Sequence, residues 1–206
     1  MFITFEGTEG SGKSLQTRKL AERLRACGYT VLTTHEPGGT QLGGELRRLL
    51  LDRQELQIGA RAEALLMNAS RAQLVESVIR PALEQGEVVV CDRFADSTLA
   101  YQGAGRGLNE QHLTSVISFA TAGIQPDMTM LLDVPVEVGL ARKQAQNQRN
   151  RFEEETIAFH KSVRAAYLAL AAENPARWRC FDATQSADRL SDAIWGAVVE
   201  RMGIHQ

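Results

Sequence analysis

Residues 7–14 read GTEGSGKS, a glycine-rich stretch that ends in a lysine and a hydroxyl. It matches G-x-x-x-x-G-K-[ST] and stands between a strand-like run and a helix-like one, the context in which that pattern cradles phosphates. Glycines let successive backbone N–H groups turn inward around an anion, and the N-terminus of the following helix adds its positive dipole end. In this reading Gly7, Thr8, Glu9, Gly10, Ser11 and Gly12 surround a nucleotide's phosphates. Lys13 reaches the β- and γ-phosphates and Ser14 offers its hydroxyl to Mg²⁺. The plainer alternative, a glycine-rich turn entering a helix, is disfavoured because the context is right as well as the pattern.

Further residues suited to anions stand at strand ends, where open α/β sheets place their sites. THEPGGT (34–40) follows an apolar run and, taken alone, reads first as a Pro-Gly turn. CDRFADSTLAYQG (91–103) follows VVVC. An Asp and an Arg at the end of a buried strand need partners of opposite sign. Asp92 can help hold Mg²⁺ while Arg93 holds a phosphate, or the two form a structural pair that caps the sheet. Met67, Arg71 and Leu74 share a helix face. There Arg71 either snorkels to solvent or enters a site. RKQAQNQRNR (142–151) has four cations and no acid. It reads as a solvated helix face or as a basic lid that closes over phosphates. Neither N-K-x-D nor D-x-x-G, the marks of guanine-reading switches, occurs in the chain.

The elements that must position these residues alternate. Short apolar runs at Phe2 to Phe5, Tyr29 to Thr34, Val88 to Cys91, Met128 to Asp133 and Trp178 to Asp182 are separated by stretches of helical spacing. These are Ser14 to Cys27 closed by Gly28, Ala60 to Gln85 kinked at Pro81, Gln111 to Ala122, Val136 to about Gln146, Glu153 to Ala172 and Ser186 to Met202. Such alternation predicts βαβ units and a parallel sheet with helices on both faces. With 206 residues, 44% of them hydrophobic, the chain suits one compact domain. A net charge of −2 gives no field to gather nucleic acid or an anionic membrane, so phosphate must be held locally. Cys27, Cys91 and Cys180 are odd in number and far apart, which suggests neither a disulfide framework nor a zinc site and fits a reducing cytoplasm. No run approaches the ~18 apolar residues needed to span a bilayer, and no export signal is visible.

Taken together, GTEGSGKS, EPGGT, DRF...STLAYQG, LLDVPVEVGL and NRFEEE...FHKSVRAAYLALA make the chain similar to the bacterial thymidylate kinases, over nearly its whole length and in the family's order. The resemblance implies a three-layer P-loop kinase fold, with a five-stranded parallel sheet flanked by helices and a short mobile lid at about 142–152. It implies transfer of the γ-phosphoryl of ATP to dTMP, giving dTDP and ADP on the way to dTTP, with Mg²⁺ and in a homodimer. It assigns ATP to residues 7–14, the metal to Ser14 and Asp92, and the acceptor phosphate to Arg93. It puts Glu9 near the 3′-hydroxyl and phosphate of dTMP, Arg71 on a thymine carbonyl, Thr98 and Gln102 at the base edge, and Tyr101 against the 2′ position.

The chain departs from the family at three places. His35 stands where an arginine usually precedes E-P-G-G, so a phosphate contact there is weaker or pH-dependent, since a free imidazole titrates near ~6.5. Beside it Pro37 belongs to the same substrate-side turn. Met67 replaces a phenylalanine that stacks on thymine, and a thioether still packs on a flat ring at ~0.3 to 1.5 kcal/mol. Gln146 falls where the lid often carries its catalytic arginine, leaving Arg149 as the expected substitute, with Arg142, Lys143 and Arg151 behind it. A phosphate oxygen of dTMP is already a nucleophile, so catalysis by Lys13, Arg93, Glu9 and a lid cation is positioning plus charge neutralisation. A kinase for another nucleoside monophosphate or a deoxynucleoside, and a nucleotide-driven switch, remain the competing readings.

Overall fold

The computed structural model describes residues 1–53, 55–145, 151–152 and 154–204. Its centre is a parallel sheet of five strands: β1 (Phe2–Glu6), β2 (Val31–His35), β3 (Val88–Asp92), β4 (Met128–Asp133) and β5 (Trp178–Asp182). They lie in the order β2-β3-β1-β4-β5. The register sets Phe5 beside Asp92 and Met130, so the ends of β1 and β3 open side by side at one edge of the sheet.

Strand periodicity divides the core. Ile3, Phe5, Val88, Val90, Met128, Met130 and Leu132 point to one face. There they meet Leu20, Ala21 and Leu24 of α1 (Lys13–Ala26) and Leu190, Ile194 and Val198 of α9 (Ala187–Met202). Phe2, Val89 and Cys91 point the other way, against Leu74, Val75 and Ile79. Leu131 and Trp178 face Val163, Tyr167 and Ala171 of α8 (Ile157–Glu173). A sheet covered on both faces explains why its central strands are apolar runs rather than alternating ones.

Boundaries moved for identifiable reasons. The run from Tyr29 becomes a strand only at Val31, because Gly28 at φ 88° turns the chain out of α1 first. The helix expected from Glu153 begins at Ile157, where the Thr156 hydroxyl accepts the Phe159 N–H at 3.2 Å; Glu153 itself lies outside the described residues. The long stretch from Ala60 does not simply kink at Pro81: α3 (Ala60–Leu74) passes through a π-helical turn (Val75–Ile79) into α4 (Arg80–Glu84). The wider turn, with Arg80 N–H reaching Val75 O, precedes a proline that has no N–H to give.

Some helices were not anticipated. Gly43 and Gly44 disguise α2 (Gln41–Leu51), which starts because Thr40 Oγ1 accepts the Gly43 N–H at 2.9 Å. Residues read only as a strand-end motif form α5 (Ala95–Thr98), which continues as a π-helical turn (Leu99–Gly105). α6 (Glu110–Thr121) and α7 (Val136–Gln144) lie where helical spacing put them.

Candidate active site

A cavity of about 610 Å³ opens at the carboxyl ends of β1, β2 and β3. One end is built on the loop from β1 to α1. Gly10 sits so close to α7 that a Cβ on it would lie 2.0 Å from Gly139 O, and one on Gly139 would lie 2.3 Å from Glu9 O. The loop therefore seats against a neighbouring helix only with glycine on both sides. Lys13 Nζ turns back onto it, donating to Gly7 O at 3.1 Å, Thr8 O at 2.8 Å and Ser11 Oγ at 3.2 Å. Burial, with Arg93 alongside, lowers the Lys13 ammonium from its ordinary range to about 8.

Arg93 reaches the same place from β3. Its Nη1 donates to Gly7 O at 3.0 Å, so Lys13 and Arg93 share one carbonyl at one end of one cavity. Nη1 also meets Ser97 and Tyr167, while Nη2 donates to Glu9 Oε1 at 3.2 Å and Tyr101 Oη at 3.0 Å. Arg93 holds the left-handed backbone, φ 70°, a conformation that non-glycine residues keep only when their surroundings enforce it. Glu6 supplies that force: its Oε1 accepts the Phe94 N–H at 2.8 Å, and its Oε2 takes Ser97 Oγ at 2.6 Å and Tyr167 Oη at 2.8 Å.

Two carboxyl groups three residues apart are driven in opposite directions. Burial, reinforced by Asp96, raises Glu6 to about 7 against the pull of Arg93. For Glu9 burial also acts upward, but His160, the charges of Arg93 and Lys13, and the Tyr101 hydroxyl hold it down to about 2. Tyr101 Oη donates to Glu9 Oε1 at 2.6 Å. The His160 contact is the looser one. Nδ1 lies 3.3 Å from Glu9 Oε2, out of line for a hydrogen bond.

Ser14 Oγ donates to Asp92 Oδ2 at 2.5 Å, so the two residues expected to hold a metal lie together. A hydroxyl and a carboxylate are hard oxygen ligands that suit Mg²⁺, which keeps waters and phosphates for its other positions. Among the described residues no group of three or more His, Cys, Asp or Glu gathers to cage a metal by itself. His35 and Pro37 line the cavity, but burial and nearby Arg47 lower the imidazole's pKa. Arg47, carried by the unanticipated α2, lines the cavity as well and donates to Pro37 O at 3.0 Å; the glycines that hid the helix hid this cation.

The other end of the cavity is lined by Met67, Arg71, Thr98, Tyr101 and Gln102. Arg71 does not snorkel. It is 2% exposed and all five of its N–H groups are engaged, with the Glu36 carboxylate, Asn68 Oδ1, Thr98 Oγ1 and Phe94 O. Nothing in the stripe around Arg71 announced that Glu36, from EPGGT, would be folded against it. Phe152 also lines this end, with its ring edge-on to Tyr101 at 5.5 Å.

Of the cations expected in a lid, Lys143 lines the cavity. Arg142 instead donates to Ala183 O at 2.8 Å and Gly10 O at 3.4 Å, tying the phosphate loop to the end of β5. Arg151 pairs with Glu63. Gln146 and Arg149 lie outside the described residues. Sequence reasoning singled out none of Glu6, Glu36, Glu63, Gly139, His160 and Tyr167. The one available signal was that most of them fall inside motifs quoted for the resemblance.

A glycine loop between strand and helix, a lysine folded on it, and an arginine and an aspartate brought beside it from a neighbouring strand define a P-loop phosphotransferase. The thymidylate kinase profile matches residues 5–194. A thymidylate kinase from Thermomicrobium roseum is 53% identical over 202 residues, covering 98% of this chain and 95% of that one. A thymidylate kinase from Deinococcus radiodurans is 49% identical, with 98% and 97% covered. The crystal structure of the Ehrlichia chaffeensis thymidylate kinase superposes with a TM-score of 0.78 at 32% identity, covering 96% of this chain and 97% of that one. The chain belongs to the thymidylate kinase family, whose reaction is the phosphorylation of dTMP by ATP.

Proposed function

We propose that the cavity carries out this transfer with ATP on residues 7–14, dTMP between Arg93 and the Met67–Gln102 end, and Mg²⁺ at Ser14 and Asp92. The observation that carries the reading is the meeting of Lys13 and Arg93 at the Gly7 carbonyl. Two cations converge on that carbonyl while Glu9 is salt-bridged to Arg93 and not to Lys13, so bringing two nucleotides tail to tail supplies the negative charge that Lys13 lacks. Lys13 and Arg93 hold the migrating phosphoryl and the acceptor phosphate, and Glu9 receives the 3′-hydroxyl. The metal ion would neutralise charge that develops on the phosphate oxygens. Met67 packs on the base and Tyr101 fills the 2′ side. A lid over about 142–152, with Arg149 as its catalytic cation, closes on the same single domain and excludes water.

The acting form is a cytoplasmic homodimer with no nucleic-acid or membrane partner. Support for the dimer is the exposed apolar surface of α3 and α6, where Leu65 is 57% and Phe119 is 89% exposed. No described helix is long and apolar enough to cross a membrane, and all three cysteines are free. A product assay with Mg-ATP and dTMP, run beside dUMP, dGMP and AMP, tests the reading. dTDP formed in preference to the other products is the expected outcome. Nucleotide hydrolysis that no acceptor stimulates overturns it.

A further inference from the structure

Behind the base end lies a layer of buried charge that dictates which hydrogen-bonding edge a base must present. Glu63 of α3 is fully buried. Its Oε1 accepts Gln102 Nε2 at 2.8 Å and Arg106 Nε at 3.3 Å, and its Oε2 accepts Arg106 Nη2 at 3.2 Å and a bond from Arg151 Nη2. With guanidinium N–H groups on both oxygens, the carboxylate only accepts. The Gln102 amide therefore has one allowed orientation, since its reversal would press oxygen against oxygen. Nε2 faces Glu63, and Oε1, which no protein donor reaches among the described residues, is left for the cavity that Gln102 lines.

Thr98 is locked in the opposite sense. Its Oγ1 accepts from Arg71 Nη1 at 2.9 Å. A guanidinium cannot accept in return, so the hydroxyl hydrogen of Thr98 must be given elsewhere. Arg71 is itself clamped by Glu36, with Nη2 to Oε2 at 2.6 Å, and cannot turn away. The cavity thus shows a base one acceptor at Gln102 and one donor at Thr98.

We propose that Glu63 is a specificity-determining positioning residue: by fixing the polarity of Gln102, with Arg71 fixing that of Thr98, it selects a pyrimidine whose edge carries N3–H and a C4 carbonyl. Thymine and uracil have that edge. Cytosine reverses both positions, with a bare N3 and a C4 amino group, and would set acceptor against acceptor and donor against donor. This inference rests on the base-pocket reading given above, and it adds that the discrimination is held by a residue that never touches the substrate.

The test compares kcat/KM for dTMP, dUMP and dCMP in the wild-type enzyme and in Glu63→Gln, whose amide meets Gln102 in either orientation. The dTMP-over-dCMP ratio should fall by about tenfold or more, the scale of one hydrogen-bonded base-edge contact, while the dTMP-over-dUMP ratio stays unchanged. A uniform loss on all three substrates overturns the proposal, because that is what mere structural damage produces. Glu63→Asp, which keeps the charge but draws it back by one methylene, carries the same comparison if the glutamine variant loses its cooperative thermal transition. In a Gln102→Met background, Glu63→Gln should move the ratio no further. A further fall of similar size would mean that Glu63 does not act through Gln102. A wild-type enzyme that uses dCMP as well as dTMP refutes the base-pocket reading itself, before any variant is made.

Discussion

The two ends of the cavity handle charge in contrasting ways. At the phosphoryl end the Lys13 ammonium rests on two carbonyls and a hydroxyl, all neutral, and burial depresses its pKa. At the base end each guanidinium, buried or half-buried, meets a carboxylate: Arg71 with Glu36, Arg106 with Glu63 and Glu155, and Arg151 with Glu63. At the first end Glu9 is taken by Arg93 and Lys13 rests on no carboxylate among the described residues; at the second every cation named has a carboxylate partner. Charge left open suits a phosphate, and charge closed off in pairs suits the holding of polar atoms that would read a base.

The largest expected effect breaks the contrast at its open end. Lys13→Ala should lower kcat/KM for dTMP phosphorylation on the order of 10³–10⁵-fold, the scale for losing a cation that stabilises a transferring phosphoryl. The fold should survive, because the buried ammonium is disfavoured rather than stabilising, and its removal should leave the thermal midpoint unchanged or raised. Activity near the wild-type level would dismantle the phosphoryl-end assignment.

At the closed end the expectation inverts. Arg71→Met strands the Glu36 carboxylate, which is 6% exposed, and removes donors from Asn68, Thr98 and Phe94 O. Urea unfolding should show a loss of about 3–5 kcal/mol, as when one partner of a buried ion pair is deleted. If Lys13→Ala unfolds the protein while Arg71→Met affects only turnover, the two ends have been read the wrong way round.

A smaller effect sharpens the contrast within the phosphoryl end. Glu6 is raised from the ordinary 4.5 to about 7, so between those values the folded protein keeps a proton that the unfolded chain has released. The stability this contributes is complete below about pH 4.5 and is lost as pH rises through about 7. Glu6→Gln, which mimics the protonated form, lacks that dependence. Unfolding free energies of the two proteins should move apart by about 1–3 kcal/mol across this window, with the wild type falling. Parallel pH profiles would show that Glu6 is ionised throughout and that Arg93 is positioned without a proton held behind it.

How much of this was legible depends on how local each interaction is. GTEGSGKS needs only its own backbone and the helix after it, and the strands Met128–Asp133 and Trp178–Asp182 stand where apolar runs placed them. Helix α2 was hidden because its glycines resemble a turn until Thr40 caps them. The burial of Arg71 was undecidable from its own stripe, since its counter-charge arrives from 35 positions away.

The sequence by itself determined that a cradle suited to phosphates stands near the amino terminus, because an anion nest is made by neighbouring residues whose backbone angles glycine favours. Only the tertiary structure decided which way Gln102 and Thr98 point their hydrogens. That polarity is imposed by Glu63 and Arg71, charges that α3 brings beside the π-helical turn, and a buried charge acts on whatever packing puts next to it, at any distance along the chain.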